Sequence, residues 1–281
     1  MKLHSSLYSL FILALWAMAI TACDNAHGEN QTVNQPEPKA QPETAEPAEQ
    51  VAEPEDDFDF TISYLMGQFD PATHPDFVKV DDKYTDGDPY YLRKETYAAF
   101  QKMWDAAMAD GIKLVIISAT RNFDRQKMIW EAKWTGARKI ENGANAAEKY
   151  PDPVTRALKI LEYSSMPGTS RHHWGTDIDL NDLDNYTFEA GPGKPVYEWL
   201  SKNAAQYGFC QPYSPKGADR PEGYNEEKWH WSYMPVAEPL TRFAEKNLKN
   251  EMISGFLGAE TATKIGVVEK YVLGINPACR Q

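Results

Sequence analysis

Residues 24–57 cannot fold by themselves, and this confines any compact structure to the chain beyond residue 57. The segment reads QPEPKAQPETAEPAEQVAEPEDD through its later part, with almost no bulky apolar side chain. Such a composition cannot bury enough surface to offset the entropy lost on ordering. It holds ten acids against the single Lys39, so most of the chain's formal charge of −12 lies here. Proline stiffening and charge repulsion predict an extended spacer. The rest of the 281 residues carry most of the 8 Trp and 15 Tyr over a mildly acidic background. At that length a real core is available, and residues 58–281 are expected to form one folded domain. No basic footprint for nucleic acid is present.

Ahead of the spacer, Lys2 precedes an apolar run from Leu7 to Ala22. A spanning helix takes about 20 apolar residues, and this run sits where the apolar region of a signal peptide belongs. It ends Ile20-Thr21-Ala22-Cys23, which resembles the lipobox at which bacterial lipoprotein precursors are cut before the cysteine. The resemblance implies a signal peptide over 1–22, lipid on Cys23, and a tether over 23–57 to a membrane outside the cytoplasm. An ordinary signal peptide or an uncleaved anchor stays open. Export implies an oxidising compartment; with Cys23 set aside, Cys210 and Cys279 are an even pair expected to tie the C-terminal tail to the domain. No CxxC occurs to suggest a cysteine zinc site.

Residues 58–92, with the turn clusters Asp70-Pro71 and Asp86-Gly87-Asp88-Pro89, read as loops. From Arg93 to Asp110, Tyr97, Phe100, Trp104, Ala107 and Met108 recur at helical spacing, and Gly111 supplies a stop. Leu114-Val115-Ile116-Ile117 predicts a buried strand that leaves Arg121 near its end, with a helix from Asp124 to about Trp134. Asp152-Pro153 predicts an N-cap and a helix to about Glu162. Gly175 to Leu180 and Trp229 to Met234 alternate like strands; Val196 to Tyr207 and the region from Val236 read as helical. This pattern indicates the α+β class, a single domain with a small, mainly antiparallel sheet flanked by helices.

Of six histidines, His4 and His27 lie in the leader and spacer and His74 is isolated in a loop. His172, His173 and His230 sit beside carboxylates in strand-like surroundings. A catalytic zinc takes three ligands from neutral imidazoles and carboxylates and keeps a fourth position for water. In Ser170-Arg171-His172-His173-Trp174-Gly175-Thr176-Asp177-Ile178-Asp179 a histidine and an aspartate seven residues on could converge, with His230 as the third ligand. Glu227, three residues before His230, is close enough to act as a base without binding metal. Trp229 and Trp231 would pack the opposite face of that strand. Ordinary hydrogen-bond networks remain the alternative for any one of these residues.

The stretch Pro167 to Asp179 resembles the S-x-H-x-x-G-x-x-x-D signature of the LAS zinc peptidases, and Glu227-Lys228-Trp229-His230 resembles their E-x-W-H. Ser118-Ala119-Thr120-Arg121, with Gln126 beyond it, is similar to the S-x-x-R…Q element of the D-alanyl-D-alanine carboxypeptidases in that group, including the vancomycin-resistance type. The three motifs occur in order across residues 118–234. The resemblance implies the LAS or hedgehog-type fold, zinc held by His172, Asp179 and His230, and Glu227 as catalytic base. It implies that Arg121 holds the substrate's carbonyl oxygen or terminal carboxylate, and that Ser170 and Gln126 help bind substrate. His173 falls on a variable position and is read as a non-ligand. Lys228 stands where many relatives have proline, and Asp177 is either support for the ligands or an alternative ligand.

The implied activity is hydrolysis of the terminal D-Ala-D-Ala bond, or an L,D bond, of peptidoglycan stem peptides by a membrane-anchored monomer. Alternatives are an endopeptidase of the same group and a non-catalytic peptidoglycan-binding lipoprotein with a structural zinc. A non-haem iron oxygenase would want an H-x-D/E ligand pair, which is absent: Trp174 and Gly175 stand two residues after His172 and His173.

Overall fold

The computed structural model describes residues 59–141 and 143–280, all within the compact unit Pro54–Gln281. The signal peptide, Cys23 and the tether lie outside the described residues. No helix among the described residues is long and apolar enough to cross a membrane.

The chain enters through a helical turn, α1 (Ile62–Leu65), and a two-stranded antiparallel pair, β1 (Phe77–Lys79) and β2 (Tyr91–Arg93). This corrects the expectation of loops over 58–92. Each strand is three residues long, too short for alternation to register in the sequence. The long helix α2 spans Lys94–Ala109 and buries Thr96, Phe100, Met103 and Ala107. That core stripe is rotated from the expected one, and Met108 is exposed. Gly111, at φ 77°, takes the left-handed conformation that ends the helix.

Strand β3 (Ile116–Ser118) leads into α3 (Phe123–Trp134), whose N-cap Asn122 accepts from the Arg125 N–H at 2.9 Å. A short α4 (Ala146–Lys149) precedes α5 (Pro153–Ile160), capped by Asp152 as expected. Then come β4 (Asp177–Leu180), α6 (Asn185–Glu189), α7 (Lys194–Asn203), β5 (Phe209–Cys210), β6 (His230–Tyr233) and α8 (Met234–Asn247). Short helical turns complete the chain, among them α9 (Ala262–Ile265).

Four strands form one antiparallel sheet in the order β3-β4-β6-β5. The α+β class with a small antiparallel sheet is what the sequence indicates. Apolar side chains back one face: Ile178, Leu180, Trp229 and Trp231 pack with Phe100 and Met103 of α2 and Trp199 and Leu200 of α7. A second core joins α3, α5 and α8 through Trp130, Ile160 and Leu240. Every residue of β4 is buried, so the strand is polar on one side because of the groups it holds there and not because of solvent. Cys210 and Cys279 are joined by a disulfide with Cα atoms 5.7 Å apart, tying the tail to the end of β5.

Candidate metal centre

Cross-strand register assembles the site. Asp179 lies opposite His230 and Asp177 opposite Ser232, and because alternate residues share a face, all four point the same way. His172 comes from the helical turn Arg171–Trp174 just before β4. Gly175, at φ 73°, reverses the chain between them, and a side chain there would collide with Phe77. One donor atom from each of His172, Asp179 and His230 lies within 4.8 Å of the others. His172 Nε2 is 3.3 Å from Asp179 Oδ2, and His230 Nδ1 is 3.1 Å from Asp179 Oδ1. All three side chains are buried.

The remaining nitrogen of each imidazole is pinned. His172 Nδ1 lies 2.8 Å from the Ala119 carbonyl oxygen, which can only accept, so the proton sits on Nδ1 and the Nε2 lone pair faces Asp179. His230 Nε2 lies 2.8 Å from Asp177 Oδ1 and presents Nδ1 in the same way. Asp177 thus stands behind His230, on the side of the ring away from Asp179. It accepts from Arg171 Nε at 3.1 Å, Thr176 Oγ1 at 2.5 Å and Ser232 Oγ at 2.8 Å. Arg171, fully buried, also donates to Thr241 Oγ1 at 3.0 Å and Ser232 Oγ at 2.7 Å, and stacks on Trp174.

Electrostatics follow from this packing. Burial opposes charge on Asp177, but Arg171 and His230 outweigh it and hold the carboxyl below the ordinary carboxylate range. Burial likewise opposes charge on Asp179, and His172 and His230 hold it well below that range. Burial pushes His172 down, with Arg121 adding to it. For His230 burial is outweighed by Asp177, Asp179 and Glu227, which push it well up: a proton there is the counter-charge of the carboxylates, a part that a dication among them would take over. Glu227 is pushed up by burial, and its Oε2 lies 3.3 Å from His230 Nδ1.

These donors suit zinc. Two imidazoles offer lone pairs with their outer nitrogens fixed, one carboxylate faces both, and Asp179 Oδ1 is buried with no hydrogen-bond partner of its own.

A cavity of about 200 Å³ opens onto the centre and is lined by the His-Asp-His trio, Glu227, Arg121 and Gln126. Arg121 is placed by its own backbone, whose N–H donates to the His172 carbonyl at 3.1 Å and whose carbonyl accepts from His173 Nδ1 at 2.5 Å. Its guanidinium donates to Ser118 Oγ at 3.0 Å and approaches Asp179 Oδ2 at 3.8 Å. Gln126 donates to the Ser165 carbonyl at 2.8 Å and leaves Oε1 without a partner.

Ser170 is not brought to the cavity wall: it is buried ahead of the Arg171 turn, its Oγ unpartnered. His173 is not near the trio's donors either. It accepts from the Gly168 N–H at 3.0 Å while donating to Arg121, and burial pushes it down to about 3. His74 packs among Tyr64, Phe69 and Phe77. Lys228, itself buried, pairs with Glu226 at 2.6 Å and Glu189 at 3.2 Å. Sequence reasoning missed Arg171, and also Tyr213, whose ring lies 4.6 Å from that of His230. Neither carries a signal in residue type or spacing.

A buried His-Asp-His centre beside a carboxyl and an arginine, on one face of a small antiparallel sheet, defines a candidate metal site. The family model for VanY, D-alanyl-D-alanine carboxypeptidase, matches residues 89–236, more than half of the chain, and the chain belongs to that family. A D-alanyl-D-alanine carboxypeptidase of Enterococcus faecalis is 28% identical over 169 residues, 59% of this chain and 56% of the relative. The chain spans about half the length of the curated relatives it matches. Among solved structures, VanYB in complex with D-alanine-D-alanine is 24% identical with a TM-score of 0.45, covering 62% of this chain and 84% of that one. The vancomycin-resistance D,D-pentapeptidase VanY in complex with Zn(II) is 23% identical with a TM-score of 0.42, covering 65% and 93%.

Proposed function

We propose that the chain is an exported zinc carboxypeptidase, tethered through Cys23, that removes the terminal D-alanine from peptidoglycan stem peptides. The single observation that carries the metal chemistry is the convergence of His172, Asp179 and His230 within 4.8 Å, with Glu227 Oε2 3.3 Å from His230 Nδ1. Family membership supports the carboxypeptidase reading.

Zinc held by His172 Nε2, Asp179 and His230 Nδ1 would supply Lewis acidity and lower the pKa of a water to roughly 7. Glu227, whose burial favours its protonated form, takes the water proton and returns it to the leaving amine. Arg121, with its guanidinium beside Asp179, neutralises charge growing on the substrate's oxygen. Asp177 fixes the His230 tautomer, and Arg171 keeps Asp177 charged.

The test is product identity. Purified protein carrying residues 58–281, supplied with zinc, is incubated with a stem pentapeptide, and the products are weighed by mass spectrometry. Release of free D-alanine with a shortened tetrapeptide is expected. Internal fragments would make it an endopeptidase, and no cleavage of any stem peptide would leave a binding protein.

A further inference from the structure

The same cavity is lined by two further cations that the mechanism does not use, the exposed Arg138 and the buried Lys133, and only the buried one is fixed in place by the packing. Lys133 lies on α3 in one row with Gln126 and Ile129, all three lining the cavity, as positions i, i+3 and i+7 of one helix face must. It is 2% exposed. A lysine is almost never buried to this degree without a return for the desolvation, and burial does push its ammonium down. Helical side chains lean toward the N-terminus, which carries Nζ back along α3 toward Gln126. The anchoring partners agree: Lys133 Nζ donates to Ser164 Oγ at 2.6 Å, while Gln126 Nε2 donates to the carbonyl of the next residue, Ser165.

The remaining partner of Lys133 is Glu141, with which it forms an ion pair. The pair is lopsided. The lysine side chain is 3% exposed and the glutamate 37%, so the glutamate can turn to water while the ammonium cannot. Arg121 Nη1, by contrast, sits 3.8 Å from Asp179 Oδ2, at the edge of the metal centre where a scissile carbonyl would lie. A terminal carboxylate is one residue beyond that carbonyl, about 3.5 Å along an extended chain, and it needs a separate cation.

Resting on the carboxypeptidase reading above, we propose that Lys133 is the specificity residue that binds the substrate's free terminal carboxylate, with Glu141 as the counter-ion the carboxylate displaces. Arg121 is thereby left to the reacting carbonyl. The cavity then selects chain ends because an amide or a continuing peptide at that position leaves a buried ammonium facing a neutral group.

The test is equilibrium binding of N-acetyl-D-Ala-D-Ala and of its C-terminal amide to zinc-loaded protein, measured by calorimetry in the Glu227→Gln background to suppress turnover. The parent is expected to prefer the acid at least about tenfold, the scale of one charge-assisted hydrogen bond. Lys133→Gln should remove most of that preference by weakening the acid alone, and Lys133→Arg should retain part of it. Glu141→Gln, at a partly exposed position, should tighten the acid several-fold, and it decides the matter if Lys133→Gln does not fold. A lysine serving only to hold Glu141 predicts the opposite: acid and amide weaken together, and Glu141→Gln gains nothing. Either of those results, or no acid preference in the parent, overturns the proposal. D-alanine release by the wild-type protein is assayed alongside: its absence overturns the carboxypeptidase reading, whereas its presence with an unchanged acid preference in Lys133→Gln overturns only the role of Lys133.

Discussion

Arg171→Met removes a guanidinium with no exposed surface that donates to Asp177, Ser232 and Thr241. Methionine keeps much of the volume and the contact with Trp174. What is lost is the partner of a buried carboxylate. Removing one member of a buried pair typically costs about 3–5 kcal/mol, because the other is left uncompensated. Thr176, Ser232 and His230 still contact Asp177, so the lower end of about 3 kcal/mol is expected. The effect should reach the His-Asp-His centre, since an Asp177 that protonates is an uncharged and weaker acceptor for His230 Nε2. Loss of such an outer-sphere partner costs about 10–100-fold in metal affinity. Urea unfolding of the zinc-free variant should show a lower midpoint with an unchanged slope, and a competing chelator should strip zinc more readily. Arg171→Met with Asp177→Asn removes both charges together and should recover at least about 1 kcal/mol of the stability lost. A single variant within about 1 kcal/mol of wild type, or a double variant no better than the single, would refute the reasoning.

Glu227→Gln should retain zinc and fold while D-alanine release falls on the order of 10² to 10⁴; steady-state rates beside metal analysis check it. His172→Ala, Asp179→Ala and His230→Ala should each lose zinc, whereas His173→Gln should keep it, as metal content per chain will show. His173 also sets a pH dependence. Its folded pKa is pushed to about 3 against about 6.5 unfolded, so below pH 6.5 the unfolded chain takes up a proton that the native one does not. The contribution of His173 to stability should therefore be constant above pH 6.5 and fall by about 1.4 kcal/mol per pH unit from there toward pH 3. The difference in urea stability between wild type and His173→Gln, both zinc-free and measured at several pH values, should follow this slope. Cys210→Ser with Cys279→Ser opens a loop of sequence separation 69 and should cost about 2–4 kcal/mol, read from the midpoint against the oxidised parent.

Helix boundaries were legible wherever a local device sets them: Asp152 with Pro153 at the start of α5, Gly111 after α2, Gly208 at the end of the helical stretch that α7 begins. The cross-strand geometry was not. β1 and β2 gain their register from each other, and nothing within three residues announces a partner. The stripe of α2 went astray because Tyr97, Trp104 and Met108 are large and apolar enough to suggest core, while Thr96 and Met103 are the residues buried. At the site, the motif spacing singled out His172, Asp179 and His230, whose potential donor atoms lie within 4.8 Å of one another. It could not say that Asp177 spends itself on Arg171, or that Ser170 stays behind the turn, because both depend on which way the chain reverses at Gly175. Nothing in its residue type or spacing marks Lys133; its burial comes from the packing of α3 against Ser164 and Ser165.

The most direct test of the central claim is a zinc titration of metal-stripped protein with D-alanine release as the readout. Release should be absent without metal, rise in proportion to zinc added, and reach its plateau at one zinc per chain. Asp179→Ala should stay silent throughout. Release that survives complete removal of metal, or that proceeds at the wild-type rate in Asp179→Ala, would contradict the account.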